Sequence, residues 1–233
     1  MNADFQQSWL AYTQFLDSAL PIGGFSHSFG LETLVQEGIV QTPSELKLYL
    51  ETMLRFNWST LDALAVKAVY VYAPAGEWER LWQVDRMQHV QRSAAETREG
   101  VAKMGRRLHK LACSMYPELS WEPLTQAMND RRCIGTHPLL HGWVVWQLGV
   151  PLTAAAEGYL YQCVLTGVNS GLRLMSLGQT EGQRLIASLL PAIRHAWSLA
   201  EALDPLEDGM SSTPQADLAM MRHETLYSRL FMS

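Results

Sequence analysis

The stretch Thr42-Pro-Ser-Glu-Leu-Lys-Leu-Tyr-Leu-Glu-Thr-Met-Leu-Arg-Phe-Asn-Trp-Ser-Thr-Leu-Asp-Ala-Leu-Ala-Val-Lys-Ala-Val-Tyr-Val-Tyr72 decides the fold class. Leu46, Leu50, Met53 and Leu54, then Leu61, Leu64, Ala65 and Ala68, recur at i, i+3 and i+4, the spacing of a buried helical stripe. Thr42-Pro43-Ser44-Glu45 has the composition of a helix start, with Pro and Glu in the first turn. Val69-Tyr70-Val71-Tyr72 has strand-like residues, but it continues the helical stripe before it.

The same periodicity extends outward in both directions. It predicts helices from Glu77 to about Val90 and from Ala94 into Met115, with Pro117 and Pro123 punctuating the connection after them. His137-Pro138 opens another helix, because Pro is favoured at the first helical position. A long apolar helix starts at Pro151 and runs through Leu174; a further one covers Gln179 to about Ala202, kinked or restarted at Pro191. Alternating patterns are scarce, and no repeat or long linker divides the chain. The expectation is an all-α, single-domain multi-helix bundle over residues 1–204. Residues 205–233 form a flexible connector, rich in Asp, Pro, Gly and Ser, and a C-terminal tail.

Composition narrows the function. Hydrophobic residues make up 48% of the 233 and charged residues 18%, which is globular rather than disordered. A net charge of -5 argues against nucleic acid as the main partner, since phosphate binding needs a clustered positive field. The three cysteines, Cys113, Cys133 and Cys163, are dispersed and form no CxxC pair, so they read as buried thiols in a reducing compartment. The N-terminus lacks a signal-peptide pattern. The longest uncharged stretch, Gly142 to Ala156, falls short of the ~20 apolar residues of a membrane span.

The least ordinary segment is Ser18-Ala-Leu-Pro-Ile-Gly-Gly-Phe-Ser-His-Ser-Phe-Gly-Leu-Glu32. Pro21-Ile22-Gly23-Gly24 predicts a sharp turn in which at least one glycine has φ > 0. A serine then caps a new helix. Gly24-Phe-Ser26-His-Ser28 is not a nucleophile elbow, for it ends in Ser and follows no strand. Gly100-Val-Ala-Lys-Met-Gly105-Arg-Arg107 imitates a phosphate loop, yet it lacks the Lys-Ser/Thr ending and lies in a helical pattern whose amides are already used. His137 and His141 are four apart, but Pro138 puts His137 at the helix start and no carboxylate lies between them. The mixed-charge run Arg92, Glu96, Arg98, Glu99, Arg106 and Arg107 reads as a solvated helix face. The end, Arg222 to Ser233, sets Leu226, Tyr227, Leu230, Phe231 and Met232 beside Arg222 and Arg229, a mix enriched at interfaces. In a short helix Tyr227, Leu230 and Phe231 would share one face.

Phe15-Leu-Asp-Ser-Ala-Leu-Pro-Ile-Gly-Gly-Phe-Ser-His-Ser-Phe-Gly-Leu-Glu32 and Glu37-Gly38 resemble the N-terminal signature of the UreF family of urease accessory proteins. Glu96-Thr-Arg98 with Met104-Gly-Arg-Arg-Leu108, then His137-Pro138 with Gly142, then Pro191-Ala-Ile, are similar to its later landmarks. His223-Glu-Thr-Leu-Tyr-Ser-Arg-Leu-Phe-Met-Ser233 resembles its C-terminal ending. Phe29 stands where a polar residue such as Gln is expected, and Met232 where Arg is frequent.

The resemblance implies a helical, dimeric, cytoplasmic scaffold that is not an enzyme and has no cofactor, catalytic residue or metal ligand of its own. Its implied partners are a UreD/UreH-type accessory protein, the nickel-carrying GTPase UreG and apo-urease, with nickel cations as the cargo of metallocentre assembly. Neither nucleic acid nor membrane is a partner. The partner-binding residues expected are Pro21, Gly23, Gly24, Phe25, Ser26, His27, Gly30 and Glu32 in the loop. In the tail they are Arg222, His223, Tyr227, Arg229, Leu230 and Phe231. The competing readings are a helical hydrolase using Ser26 and His27, and a metal-storing chaperone based on His137 and His141.

Overall fold

A computed structural model describes residues 3–233, with side chains from Ser8 onward, and every regular element among them is helical. The α-helices run α1 Ala3–Phe15, α2 Leu31–Gln36, α3 Pro43–Met53, α4 Ala63–Tyr72, α5 Trp78–Gln91 and α6 Ala95–Met115. They continue with α7 Glu122–Asn129, α8 His137–Gln147, α9 Leu152–Leu174, α10 Gln179–Ala200 and α11 Pro214–Arg222. Local chemistry sets several starts. Thr42 caps α3 in a reciprocal box, its hydroxyl accepting from the Glu45 amide at 3.2 Å while the Glu45 carboxylate accepts from the Thr42 amide at 2.9 Å. Pro occupies the first turn of α3, α7, α8 and α11, where its missing N–H costs nothing.

Two large apolar clusters build the core. One gathers Leu46, Leu50, Leu160, Val164, Leu189 and Trp197 between α3, α9 and α10. The other gathers Trp82, Leu108, Leu139, Leu140 and Trp143 between α5, α6 and α8. Apolar side chains of α4 enter both, and Tyr12 of α1 covers a smaller third cluster. Asp85, fully buried on α5, clips the 133–136 loop. It accepts from the amides of Ile134 (2.7 Å), Gly135 (2.9 Å) and Thr136 (3.0 Å) and from the Thr136 hydroxyl (2.5 Å). Such a clip satisfies a buried carboxylate and fixes the loop that leads into α8.

Three expectations are corrected, and of the two alternatives at Pro191 the restart is excluded. The stripe after Met53 does not stay α-helical: Leu54–Asp62 is a π-helix, which draws Asp62 inward to accept from the Arg92 guanidinium and, at 3.1 Å, the Tyr159 hydroxyl. Burial pushes the Asp62 carboxyl upward and Arg92 pulls it back. Pro191 lies inside α10 without restarting it. The connector is pinned rather than loose, because Met210 and Ser212 donate their amides to the Thr60 and Phe56 carbonyls at 2.9 and 2.8 Å. The mixed-charge run is not all solvated, since α5 ends at Gln91 and α6 begins at Ala95. Arg92 therefore leaves the helix surface for the interior, and Glu96 faces the tail.

Candidate partner-binding site

The loop after α1 turns where the two glycines stand. Gly23 has φ +90, the left-handed region open to glycine, while Gly24 begins the 3-10 turn Gly24–Ser26. A Cβ at Gly23 would also collide with the Arg107 guanidinium, which lies across the turn and donates to the Ile22 carbonyl at 3.4 Å. The glycines of the phosphate-loop look-alike serve close approach. A Cβ on Gly100 would lie 2.7 Å from His27 Cε1, and one on Gly105 would enter the Gly135 carbonyl. Both lie within α6, so their amides belong to the helix.

The tail closes over this loop. The Ser233 carbonyl accepts from the Ser28 and Phe29 amides at 2.6 and 3.1 Å and from the Ser28 hydroxyl at 3.0 Å. Met232 donates its amide to the Ser26 carbonyl at 2.8 Å, and His27 Nδ1 meets the Ser233 hydroxyl at 2.7 Å. Phe29 takes φ +52 here, uncommon for a bulky residue, with its ring stacked on His27 and its carbonyl held by the Tyr49 hydroxyl. Burial, aided by the charges of Arg107 and Lys103, lowers the His27 imidazole to about 4, so it sits neutral.

Glu32 is the hub beneath the tail. Only 2% exposed, it accepts from the amides of Leu230 (2.6 Å) and Phe231 (3.0 Å) and faces His223 Nε2 at 3.0 Å. The other nitrogen of His223 lies 2.7 Å from Glu96, which also receives Arg229 at 2.6 Å. Arg173 of α9 lies over the Phe231 ring at 4.3 Å and donates to the Phe25 carbonyl at 2.8 Å, linking loop and tail. Arg222 grips Glu37 through two bonds, an exposed pair of small energetic weight.

The structure thus brings together Gly23, Gly24, Phe25, Ser26, His27, Gly30, Glu32, His223, Arg229, Leu230 and Phe231. Pro21 and Arg222 lie at the exposed margins. The tail beyond Thr225 is not a helix, and Tyr227, Leu230 and Phe231 do not share a face. Phe231 is buried, Leu230 half-exposed and Tyr227 fully exposed. The backbone donors at 230 and 231 are committed to Glu32, which a continuing helix would forbid. Four apolar side chains remain outward on this hydrogen-bonded frame: Phe25 in the loop, and Tyr227, Leu230 and Met232 in the tail. Ser28, Glu96, Gly100, Arg173 and Ser233 complete the frame and were not among the expected partner-binding residues. Glu96 carried a signal, as an acid in the first turn of the helix predicted from Ala94 and four residues from Arg92.

Elsewhere, His137 and His141 flank Tyr159 in the core, their ring centroids 6.5 Å apart. Burial lowers His137 to about 3 and His141 to about 4. Among the described residues no group of three or more His, Cys, Asp or Glu has metal-holding geometry. Ser26 and His27 do not pair, since the imidazole is engaged by Ser233. No described helix is long and apolar enough to cross a membrane.

Against known proteins, residues 40–190 match the UreF family model. The chain is 31% identical over 224 residues to "Urease accessory protein UreF" of Haemophilus influenzae strain PittEE, covering 96% of this chain and 94% of the relative. The chain belongs to the UreF family. The UreF protein of Actinobacillus pleuropneumoniae serotype 5b is likewise 31% identical, with 96% of this chain and 98% of that one aligned. The family model ends short of the loop and the tail, whereas the alignments to full UreF relatives span nearly the whole chain.

Proposed function

We propose that this UreF-family chain is a urease maturation factor that works by binding rather than by catalysis. Together with a UreD/UreH-type accessory protein and a UreG-type GTPase, it promotes nickel insertion into apo-urease and modulates the GTPase, as a cytoplasmic homodimer. The observation that carries the reading is the composite of loop and tail. A backbone hydrogen-bonded at Ser28, Phe29, Leu230, Phe231 and Met232 leaves the apolar side chains of Phe25, Tyr227, Leu230 and Met232 exposed to solvent, and apolar side chains held outward favour an interaction role. The tail, within residues 205–233, is the partner-binding segment, and the loop of residues 21–32 supports it. α6 supports the non-nucleotide reading, because the look-alike loop has no free amides to give a phosphate.

Co-expression with the other accessory proteins and urease tests this. The intact chain is expected to co-purify with the UreD/UreH-type protein and to raise urease activity. A chain lacking residues 222–233 is expected to keep its helical circular dichroism and lose both. Normal capture and activation by the shortened chain would overturn the assignment.

A further inference from the structure

The π-helix Leu54–Asp62 spans nine residues, whereas π geometry mostly occurs as single turns inside α-helices, often at functional sites. Its bonds run from i to i+5, as in the Ala63 amide donating to the Trp58 carbonyl. An element this unfavourable persists only where its surroundings over-determine it.

It is braced from both sides. On the outer side the connector lies along it. Ser212 and Met210 donate amides to the Phe56 and Thr60 carbonyls at 2.8 and 2.9 Å, and the Thr60 hydroxyl returns a bond to the Met210 carbonyl at 2.7 Å. Asn57 Nδ2 reaches the Ser211 and Thr213 hydroxyls at 2.8 and 3.0 Å. Gln91 fastens the same stretch to α5, donating to the Gly209 carbonyl at 2.7 Å and accepting from the Ser211 amide at 3.3 Å. On the inner side the Gln88 side chain donates to the Leu61 carbonyl, while Asp62 receives Arg92 and Tyr159.

We propose that the connector acts as a clamp that keeps residues 54–62 in π form, and that its release lets the segment rewind toward α and dismantles the Asp62–Arg92–Tyr159 cluster. Tightening from i+5 to i+4 bonding rotates each successive side chain about the axis. Asp62, at the far end of the segment, cannot then hold both partners, which sit on α9 and just past α5. Trp58, Asp62, Arg92 and Tyr159 all line one partly open pocket of about 70 Å³, so the movement reshapes it. α11 and the tail follow the connector without interruption, so a pull on either is felt at Asp62. The device couples the surface to the interior, and it stands whether or not the tail meets a partner.

Amide hydrogen exchange on the full chain tests it. In the Asn57→Ala/Thr60→Val variant, three side-chain bonds to the connector are lost. Exchange at residues 59–63 is expected to rise about tenfold or more while α9 amides stay unchanged, with the Arg92 side-chain N–H resonances shifted. Loss of protection at Met210 and Ser212 with residues 59–63 and Arg92 as in the unaltered protein would overturn the proposal. Should the variant fail to fold, the unaltered protein decides. Met210, Ser212 and residues 59–63 should open as one unit with one denaturant dependence, and separate opening refutes the clamp.

Discussion

Glu32→Gln keeps the shape of the hub and removes its charge. As it stands, Oε1 takes the Leu230 amide, and Oε2 takes the Phe231 amide and faces His223 Nε2. In the amide one of those oxygens becomes an NH2 group. If it replaces Oε1, the Leu230 N–H points at another donor; if it replaces Oε2, the Phe231 N–H does. Every orientation breaks at least one bond, and those that survive lose their charge assistance. With bonds to ionised groups worth about 1.5–3 kcal/mol each, tail closure should weaken by about 2–4 kcal/mol. That raises the open-to-closed ratio about thirtyfold to a thousandfold. The bonds removed hold the tail itself and leave the apolar α2–α9 and α9–α10 packing in place, so the loss should fall on tail closure. Amide exchange at Leu230 and Phe231 should accelerate by that factor, with global chemical denaturation nearly unmoved and partner capture reduced. Protection at these two amides within about threefold of the unaltered protein would show that Glu32 does not hold the tail.

Asp85→Asn places donors against donors under the 133–136 loop and should cost about 3–5 kcal/mol in urea denaturation; a loss below about 1 kcal/mol would mean the clip is dispensable. Gly23→Ala should destabilise by about 1 kcal/mol or more, since φ is +90 and the Arg107 guanidinium must swing aside, whereas Gly24→Ala, facing only the flexible end of Met104 at 3.4 Å, should cost less. Equal melting temperatures for the two variants would contradict the assigned turn. Acidification supplies a further check. His27, His137 and His141 are held neutral down to about 4, 3 and 4, but titrate near 6.5 when unfolded. The unfolded chain therefore binds more protons below pH 6.5, and stability should fall as pH drops through 6.5 toward 4, by about 1 kcal/mol per ring at pH 5.5. Thermal melts that do not change between pH 7.5 and 5.5 would refute it. The isolated chain should bind no GTP in calorimetry, and micromolar binding would show that α6 had been misread.

What was legible in the sequence was what short-range chemistry controls. Periodicity located the helices to within a few residues, and Thr42, Pro43, Glu45 and Pro138 marked real starts because capping and proline geometry are local. The turn at Gly23 was readable for the same reason. The π-helix was not, since the groups that brace it, the 209–213 connector outside and Arg92 and Tyr159 inside, are distant in sequence. Nor was the seating of the tail, because Glu32 and Phe231 look alike in the sequence whether they meet each other or a partner. Glycines 100 and 105 imitate a phosphate loop that the sequence itself rules out, but their purpose, clearance for His27 and for the 133–136 loop, is displayed by no window of the sequence.

The bond between Ser28 and Ser233 joins residues 205 positions apart. Contacts across such a separation carry a large ordering cost and form after the local helices have condensed. The joined surface of loop and tail therefore exists only on a molecule whose two extremities have found each other. Peptides copied from either extremity would not reproduce it, and a protein clipped anywhere in its last dozen residues would lose it while still being helical. A binder that contacts both segments would accordingly distinguish chains in which loop and tail are joined from chains in which they are apart.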